Sequence, residues 1–214
     1  SGDRLPFAVT GGKLKGVEYR SPRASAQVKS AVVLAGLQAQ GETVLIEPGK
    51  SRDHSELMLR AMGCGIEVQE GDDGSSRVRV SSRTQPLRPL TTQVPGDFSA
   101  AAFFLVAASI YPGSSVLIRN VGFNPTRLGM YTVLRRMGAA IEVQNERLSG
   151  GEKVVDLKVQ SAVLKAVEVG AGEVVLAIDE IPILAVACAL AEGTSRITGA
   201  GELRVKESDR LSMI

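Results

Sequence analysis

Leu59-Arg60-Ala61-Met62-Gly63 followed by Ile66-Glu67-Val68-Gln69 returns as Leu134-Arg135-Arg136-Met137-Gly138 followed by Ile141-Glu142-Val143-Gln144, 75 positions later. Upstream, Gly41 and Gly113 lie 72 apart, so three residues are inserted in the connecting loop of the second copy. Self-similarity at this period marks stacked supersecondary units, none of which buries its apolar face alone. The first copy reads as a helix over 25–38, a strand over 43–47, a helix over 55–62, and strands over 66–70 and 77–81 joined by Gly71-Asp72-Asp73-Gly74. In the second copy the same order falls at 97–110, 115–120, 126–137, 141–145 and 154–160. A third begins with a helix over 179–191, Gly193 and a strand over 194–199, and its second helix is opening at Ile214.

The helices constrain the layering. Ser30 to Leu37, Ala100 to Ala108 and Ile181 to Leu190 are apolar nearly all round, which predicts buried helices. The strands alternate instead: Arg77-Val78-Arg79-Val80 and Asp156-Leu157-Lys158-Val159 put charge on one face and Val or Leu on the other. Helices inside and half-exposed sheets outside give an α/β chain of βαβαββ units, the reverse of a doubly wound fold. The Pro-, Thr- and Arg-rich stretch 82–95 separates the first two copies, as a domain hinge or an ordinary inter-repeat loop. The expected division is 1–93, the last unit of one globular domain, and 94–214, the first unit and part of the second unit of another.

Composition removes several function classes. Apolar runs stop well short of the roughly 18 residues of a membrane span, and Ser1-Gly2-Asp3-Arg4-Leu5-Pro6-Phe7 carries no signal-peptide core. A net charge of +2, with five Phe, three Tyr and no Trp, offers nucleic acid neither a basic field nor stacking platforms. Two cysteines, Cys64 and Cys188, fit a reducing compartment, and the single histidine excludes His-rich metal sites. A cytoplasmic protein without a His-rich metal site is expected.

Some motifs are decoys. Pro48-Gly49-Lys50-Ser51 resembles the end of a phosphate-binding loop, but the required upstream glycine is Val44. No Gly-x-Gly-x-x-Gly opens a helix. His54 reads as a surface or capping residue, and Asp72 and Asp73 as turn formers. What remains is polar residues at the starts of apolar helices. Ser25, Ala26 and Gln27 open one, where free N–H groups and the dipole make an anion site. Alignment through Gly41, Gly113 and Gly193 makes Gln27, Ser99 and Asp179 equivalent. A carboxylate at that place either caps the helix or has its pKa moved by burial for proton chemistry; the residues alone favour the cap. In Leu203-Arg204-Val205-Lys206-Glu207-Ser208-Asp209-Arg210, Ser208 reads as an N-cap with Arg210 in the first turn. Two cations beside a helix N-terminus suit an anionic ligand, with Glu207 between them as proton donor or acceptor; a solvated charged turn is the alternative.

RASAQVKSAVVLAGL, SRDHSELMLRAMG, VPGDFSAAAFFLVAA, NPTRLGMYTVLRRMGA and ELRVKESDRL together resemble the 5-enolpyruvylshikimate-3-phosphate synthase family, the 3-phosphoshikimate 1-carboxyvinyltransferases, across the whole chain. The resemblance implies an enolpyruvyl-transferase fold, an inside-out α/β prism of βαβαββ units, incomplete here. It implies transfer of the enolpyruvyl group of phosphoenolpyruvate to the 5-hydroxyl of shikimate 3-phosphate, with no cofactor. By motif, Ser25, Ala26, Gln27, Arg52 and Lys206 match shikimate 3-phosphate contacts, and Gln27 and Arg210 match phosphoenolpyruvate contacts. Asp179 matches the acceptor of the hydroxyl proton on the shikimate side, and Glu207 the acid/base on the methylene carbon. Ala26 stands where some members have a second serine, and Glu202 where some have asparagine. The chain resembles a central portion of such an enzyme, so alone it is expected to be inactive and to self-associate, the intact enzyme being monomeric. Two competing readings are a UDP-N-acetylglucosamine enolpyruvyl transferase and a non-catalytic repeat module.

Overall fold

The structure, a computed structural model, describes residues 6–82 and 85–214. Asp3, Arg4 and Leu5 of the matching N-terminus, and Arg83 and Thr84 of the expected linker, lie outside the described residues. The chain divides into two compact units, Ser1–Pro89 and Leu90–Ile214.

The first unit runs β1 (Glu18–Arg20), α1 (Ala26–Gly36), β2 (Glu42–Glu47), α2 (His54–Ala61), β3 (Ile66–Glu70) and β4 (Ser76–Ser81), the βαβαββ order the repeat predicts. Its sheet has the order β1-β2-β4-β3, with β1 parallel to β2 and the other pairs antiparallel. Asp73 accepts the Ser75 N–H in the β3–β4 turn, as a turn former should. In the second unit, α3 (Phe98–Ile110), β5 (Ser115–Gly122), a 3-10 turn (Pro125–Arg127), α4 (Gly129–Arg136), β6 (Ala140–Ser149) and β7 (Glu152–Gln160) repeat the pattern, with sheet order β5-β7-β6. Where the first unit has β1, this copy has a single parallel bridge, Gly96 to Val121. Then follow β8 (Glu168–Val169), α5 (Ala171–Leu176), α6 (Ile181–Ala189), β9 (Arg196–Ile197), a 3-10 turn (Gly201–Val205) and α7 (Arg210–Met213).

The repeated Leu-x-x-Met-Gly has a physical role. Gly63 and Gly138 take positive φ, 85° and 95°, which only glycine adopts cheaply. The next residues, Cys64 and Ala139, then donate back to the Leu59 and Leu134 carbonyls at 2.9 Å, so both helices end in the same left-handed cap. The two leucines are buried in their respective cores.

Several expectations need correction. The helix expected over 126–137 is a 3-10 turn followed by α4, because Asn124 accepts from the Thr126 N–H and hydroxyl and Pro125 opens the tight turn. The three-residue insertion is no loop: it lengthens β5 through a register shift between Ile118 and Val121, with Asn120 at φ 58°. Asp156, expected on the charged face of its strand, is buried, accepting from the Asn120 N–H at 2.8 Å and the Asn145 amide at 3.0 Å. The strand expected over 194–199 is only β9, and α5 was not expected. The apolar helices are not buried all round: Phe103 and Phe104 of α3 are 57% and 60% exposed. Each helix packs one face on its own unit and leaves apolar residues such as Leu34 of α1 and Val186 of α6 exposed. No helix of the described residues is long and apolar enough to cross a membrane.

Candidate functional site

Each unit holds one group of the residues singled out above. In the first, Ser25 is the N-cap of α1: its extended backbone lets its hydroxyl accept the Val28 N–H at 3.4 Å. That hydroxyl also donates to the Gln27 side-chain oxygen at 3.3 Å, so Ser25 and Gln27 touch in the first helical turn with Ala26 between them. Arg52 lies half-buried in the loop between β2 and α2. His54 is the first residue of α2, half-buried, with Asp53 at the N-cap position.

Beneath these loops lies a cluster that sequence reasoning missed. Lys29, Glu47 and Glu56 are each at most 1% exposed. The Lys29 ammonium is 2.8 Å from Glu56 and 3.3 Å from Glu47 and donates to the Ser51 carbonyl at 3.2 Å. Glu47 accepts the Ser25 backbone N–H at 3.0 Å and the Ser51 hydroxyl at 2.8 Å, tying the start of α1 to the residue before Arg52. The available signal was positional: Lys29 shares a helix face with buried Val33 and Gly36, and Glu47 ends a strand whose Val44 and Leu45 are buried.

The second unit brings Asp179, Glu207 and Arg210 together. The Arg210 guanidinium donates to Asp179 at 3.3 Å and to Glu207 at 2.5 Å, so one cation bridges both carboxylates. A hydrogen bond from its own backbone, then Arg210, hold the Glu207 carboxyl below its usual range, leaving it ionised at neutral pH. Lys206 follows the 3-10 turn and pairs with Glu202 at 3.0 Å, so the residue that departs from the family pattern contacts an expected substrate ligand.

Two sequence expectations are corrected here. The cap of α7 is Asp209, which accepts the Ser212 N–H at 3.1 Å, and not Ser208; Arg210 still opens the helix. Asp179 does not cap α6. That helix begins at Ile181, because Pro182 lacks an N–H and is tolerated only in a first turn. Relative to its aligned glycine, α6 therefore starts three residues later than α1 and α3, and Asp179 precedes the helix where Gln27 and Ser99 lie within theirs. A second missed group surrounds the start of α3. Arg127 donates to Asp97 at 3.1 Å and to the Ser99 hydroxyl at 2.5 Å, and lies 3.7 Å from buried Glu180, which also bonds Ser99. Among the described residues no group of three His, Cys, Asp or Glu side chains could hold a metal ion.

Comparison with known proteins points one way. The 3-phosphoshikimate 1-carboxyvinyltransferase of Gluconobacter oxydans is 51% identical over 99% of this chain and 48% of its own length. That of a Synechococcus strain is 54% identical over the whole chain and 47% of its own length. Among solved structures, EPSP synthase from Acinetobacter baumannii superposes with a TM-score of 0.85 at 47% identity, over 94% of this chain and 44% of that one. The enolpyruvyl transferase NikO from Streptomyces tendae, at 20% identity, shares the fold with a TM-score of 0.62 over 88% of this chain and 45% of its own. The chain thus spans about half the length of the curated relatives it matches. A family profile described as EPSP synthase (3-phosphoshikimate 1-carboxyvinyltransferase) matches residues 1–214. The chain belongs to the EPSP synthase family.

Proposed function

We propose that the chain is part of an enzyme that transfers the 1-carboxyvinyl group of phosphoenolpyruvate to the 5-hydroxyl of shikimate 3-phosphate with release of phosphate. The observation that supports it is Arg210 bridging Asp179 and Glu207, which gathers two carboxylates around one cation. Asp179 takes the proton of the 5-hydroxyl as its oxygen attacks C2 of phosphoenolpyruvate, and Glu207 delivers a proton to the methylene carbon. The resulting tetrahedral adduct loses a proton from the new methyl group as phosphate leaves. Glu207 is ionised while paired with Arg210, so protonation follows when a substrate carboxylate or phosphate takes over the guanidinium.

Ser25, Ala26 and Gln27 at the start of α1, with Arg52 and Lys206, contact shikimate 3-phosphate; a helix N-terminus suits a phosphate. Gln27 and Arg210 contact phosphoenolpyruvate. A cytoplasmic, monomeric enzyme is the assembly this implies, with the chain inactive by itself.

The test exchanges this chain for the matching segment of the Gluconobacter oxydans relative and follows phosphate release with both substrates. Turnover is expected, and Asp179→Asn and Glu207→Gln each lower kcat by about 10²–10⁴-fold. Near-normal turnover of either variant removes that residue from the mechanism.

A further inference from the structure

We propose that the buried cluster Lys29–Glu47–Glu56 is a positioning device for the shikimate 3-phosphate contacts; the claim rests on the assignment of Ser25 and Arg52 to that substrate. Three ionisable side chains at most 1% exposed are a poor way to build a core, because desolvation consumes much of what their attraction returns. The repeat supplies an internal control. Through the 72- and 75-residue offsets, Lys29, Glu47 and Glu56 correspond to Ala101, Arg119 and Tyr131. Ala101 is buried, Arg119 is exposed, and Tyr131 packs edge-on against Phe123 with centroids 5.1 Å apart. The second copy keeps the helix–strand–helix order and the same strand order with no such cluster. The fold does not require it.

Its outward bonds indicate what does. Glu47 accepts the backbone N–H of Ser25, the residue whose hydroxyl caps α1 and bonds Gln27. It also accepts the Ser51 hydroxyl with both oxygens, at 2.8 and 3.0 Å. Lys29 donates to the Ser51 carbonyl, so the peptide leading into Arg52 is fixed at two atoms. Glu56, reaching Lys29 from α2, holds the ammonium against both loops. One buried unit thereby sets the distance between a helix N-terminus and an arginine, the pair that a phosphate monoester would bridge. These three residues touch no reacting atom; they act through Ser25 and Ser51.

The experiment uses the same full-length exchange protein and replaces the cluster at once with Lys29→Met, Glu47→Met and Glu56→Leu, an apolar set that need not unfold the core. A positioning role predicts KM for shikimate 3-phosphate up by about tenfold or more, with the melting temperature close to the parent's. KM for phosphoenolpyruvate and kcat stay within about threefold, since of these loops only Gln27 bears on that substrate. Unchanged KM for shikimate 3-phosphate, with or without a change in melting temperature, overturns the proposal. Glu47→Gln alone is expected to move the same KM in the same direction, and it serves if the triple variant fails to fold. Amide hydrogen exchange separates this claim from the assignment of substrate. If the parent exchange protein does not turn over shikimate 3-phosphate, that assignment fails, and exchange decides positioning alone. Faster exchange confined to residues 23–28 and 50–54 in Glu47→Gln supports it, and uniform or unchanged exchange overturns it.

Discussion

Ser25 caps α1 and Asp97 caps α3, and the two residues are 72 positions apart in a repeat that aligns their helices. Their geometry is shared: each side-chain oxygen accepts the N–H three residues on, from Val28 at 3.4 Å and from Ala100 at 3.1 Å. Their electrostatics are opposed. At the cap position the first unit has a neutral hydroxyl, followed by neutral Gln27. The second has a carboxylate, and Arg127, the 75-residue counterpart of Arg52, binds Asp97, Ser99 and Glu180. The same supersecondary unit thus presents an uncharged cap in one copy and, in the other, a carboxylate cap closed by an arginine. The lesson is that cap geometry comes with the repeat, whereas the charge at the cap is set separately in each copy.

The largest expected effect comes from removing the closing arginine. Arg127→Ala removes a cation that lies 3.7 Å from Glu180, itself 1% exposed, at a cost of about 3 kcal/mol. Urea unfolding of the chain measures it. Arg52→Ala, at the equivalent position, should instead cost little stability and raise KM for shikimate 3-phosphate in the full-length exchange protein. A stability loss as large as that of Arg127→Ala would erase the distinction between the copies.

Next comes the cap itself. Ser25→Asp gives the first unit the second unit's cap, and Asp and Ser cap about equally well, so stability should move by less than about 1 kcal/mol. Beside a substrate phosphate the new charge is repulsive, and KM for shikimate 3-phosphate is expected to rise about 100-fold. An unchanged KM would take the start of α1 out of the site.

How much of this was legible in the sequence depends on how local its cause is. The Leu-x-x-Met-Gly segments were readable because a left-handed cap needs only a glycine and a leucine four positions earlier. The bulge in β5 was not, since Asn120 at φ 58° is held by Asp156, which is distant in sequence. Lys29 escaped notice because a lysine after Ser25 and Gln27 reads as a solvated residue; Glu47 and Glu56 lie 18 and 27 positions away and meet it only on folding. Asp179 was singled out by the glycine alignment, which favoured a cap inside a helix that Pro182 starts later; its role in proton chemistry came from the family resemblance. Arg210 contacting both Asp179 and Glu207 required the tertiary structure, although each was named from sequence.

The bulged hairpin is a second difference between the copies, and pH sharpens it. The Asn120 N–H, then the Asn145 amide, hold the Asp156 carboxyl below its usual range; its counterpart by strand pairing is Arg77, which lies opposite Gln69 as Asp156 lies opposite Gln144, in an unbulged strand. A depressed carboxyl contributes stability that is full above the unfolded value near pH 4 and lost as pH falls through the lower folded value. Asp156→Asn should therefore cost about 2 kcal/mol at neutral pH, typical of hydrogen bonds to a charged group. The difference from the parent should shrink along the acid limb. A constant difference down that limb would mean the carboxylate charge is irrelevant to the bulge.

The smallest expected effect is the reverse cap exchange. Asp97→Ser gives the second unit the first unit's cap, and the Ala100 N–H keeps an oxygen acceptor. What is lost is the ion pair with Arg127, 3.1 Å long but 56% exposed on the Asp97 side, so solvent screens it. Ser99 and Glu180 still hold the guanidinium, and Glu180 stays compensated. The expected cost is below about 1 kcal/mol, read as a small shift of the urea midpoint with an unchanged slope. Set against Arg127→Ala, the size of that shift locates the neutralising charge. If Asp97→Ser destabilises as much as Arg127→Ala, the exposed cap carboxylate closes this helix start; if it is nearly silent, buried Glu180 does.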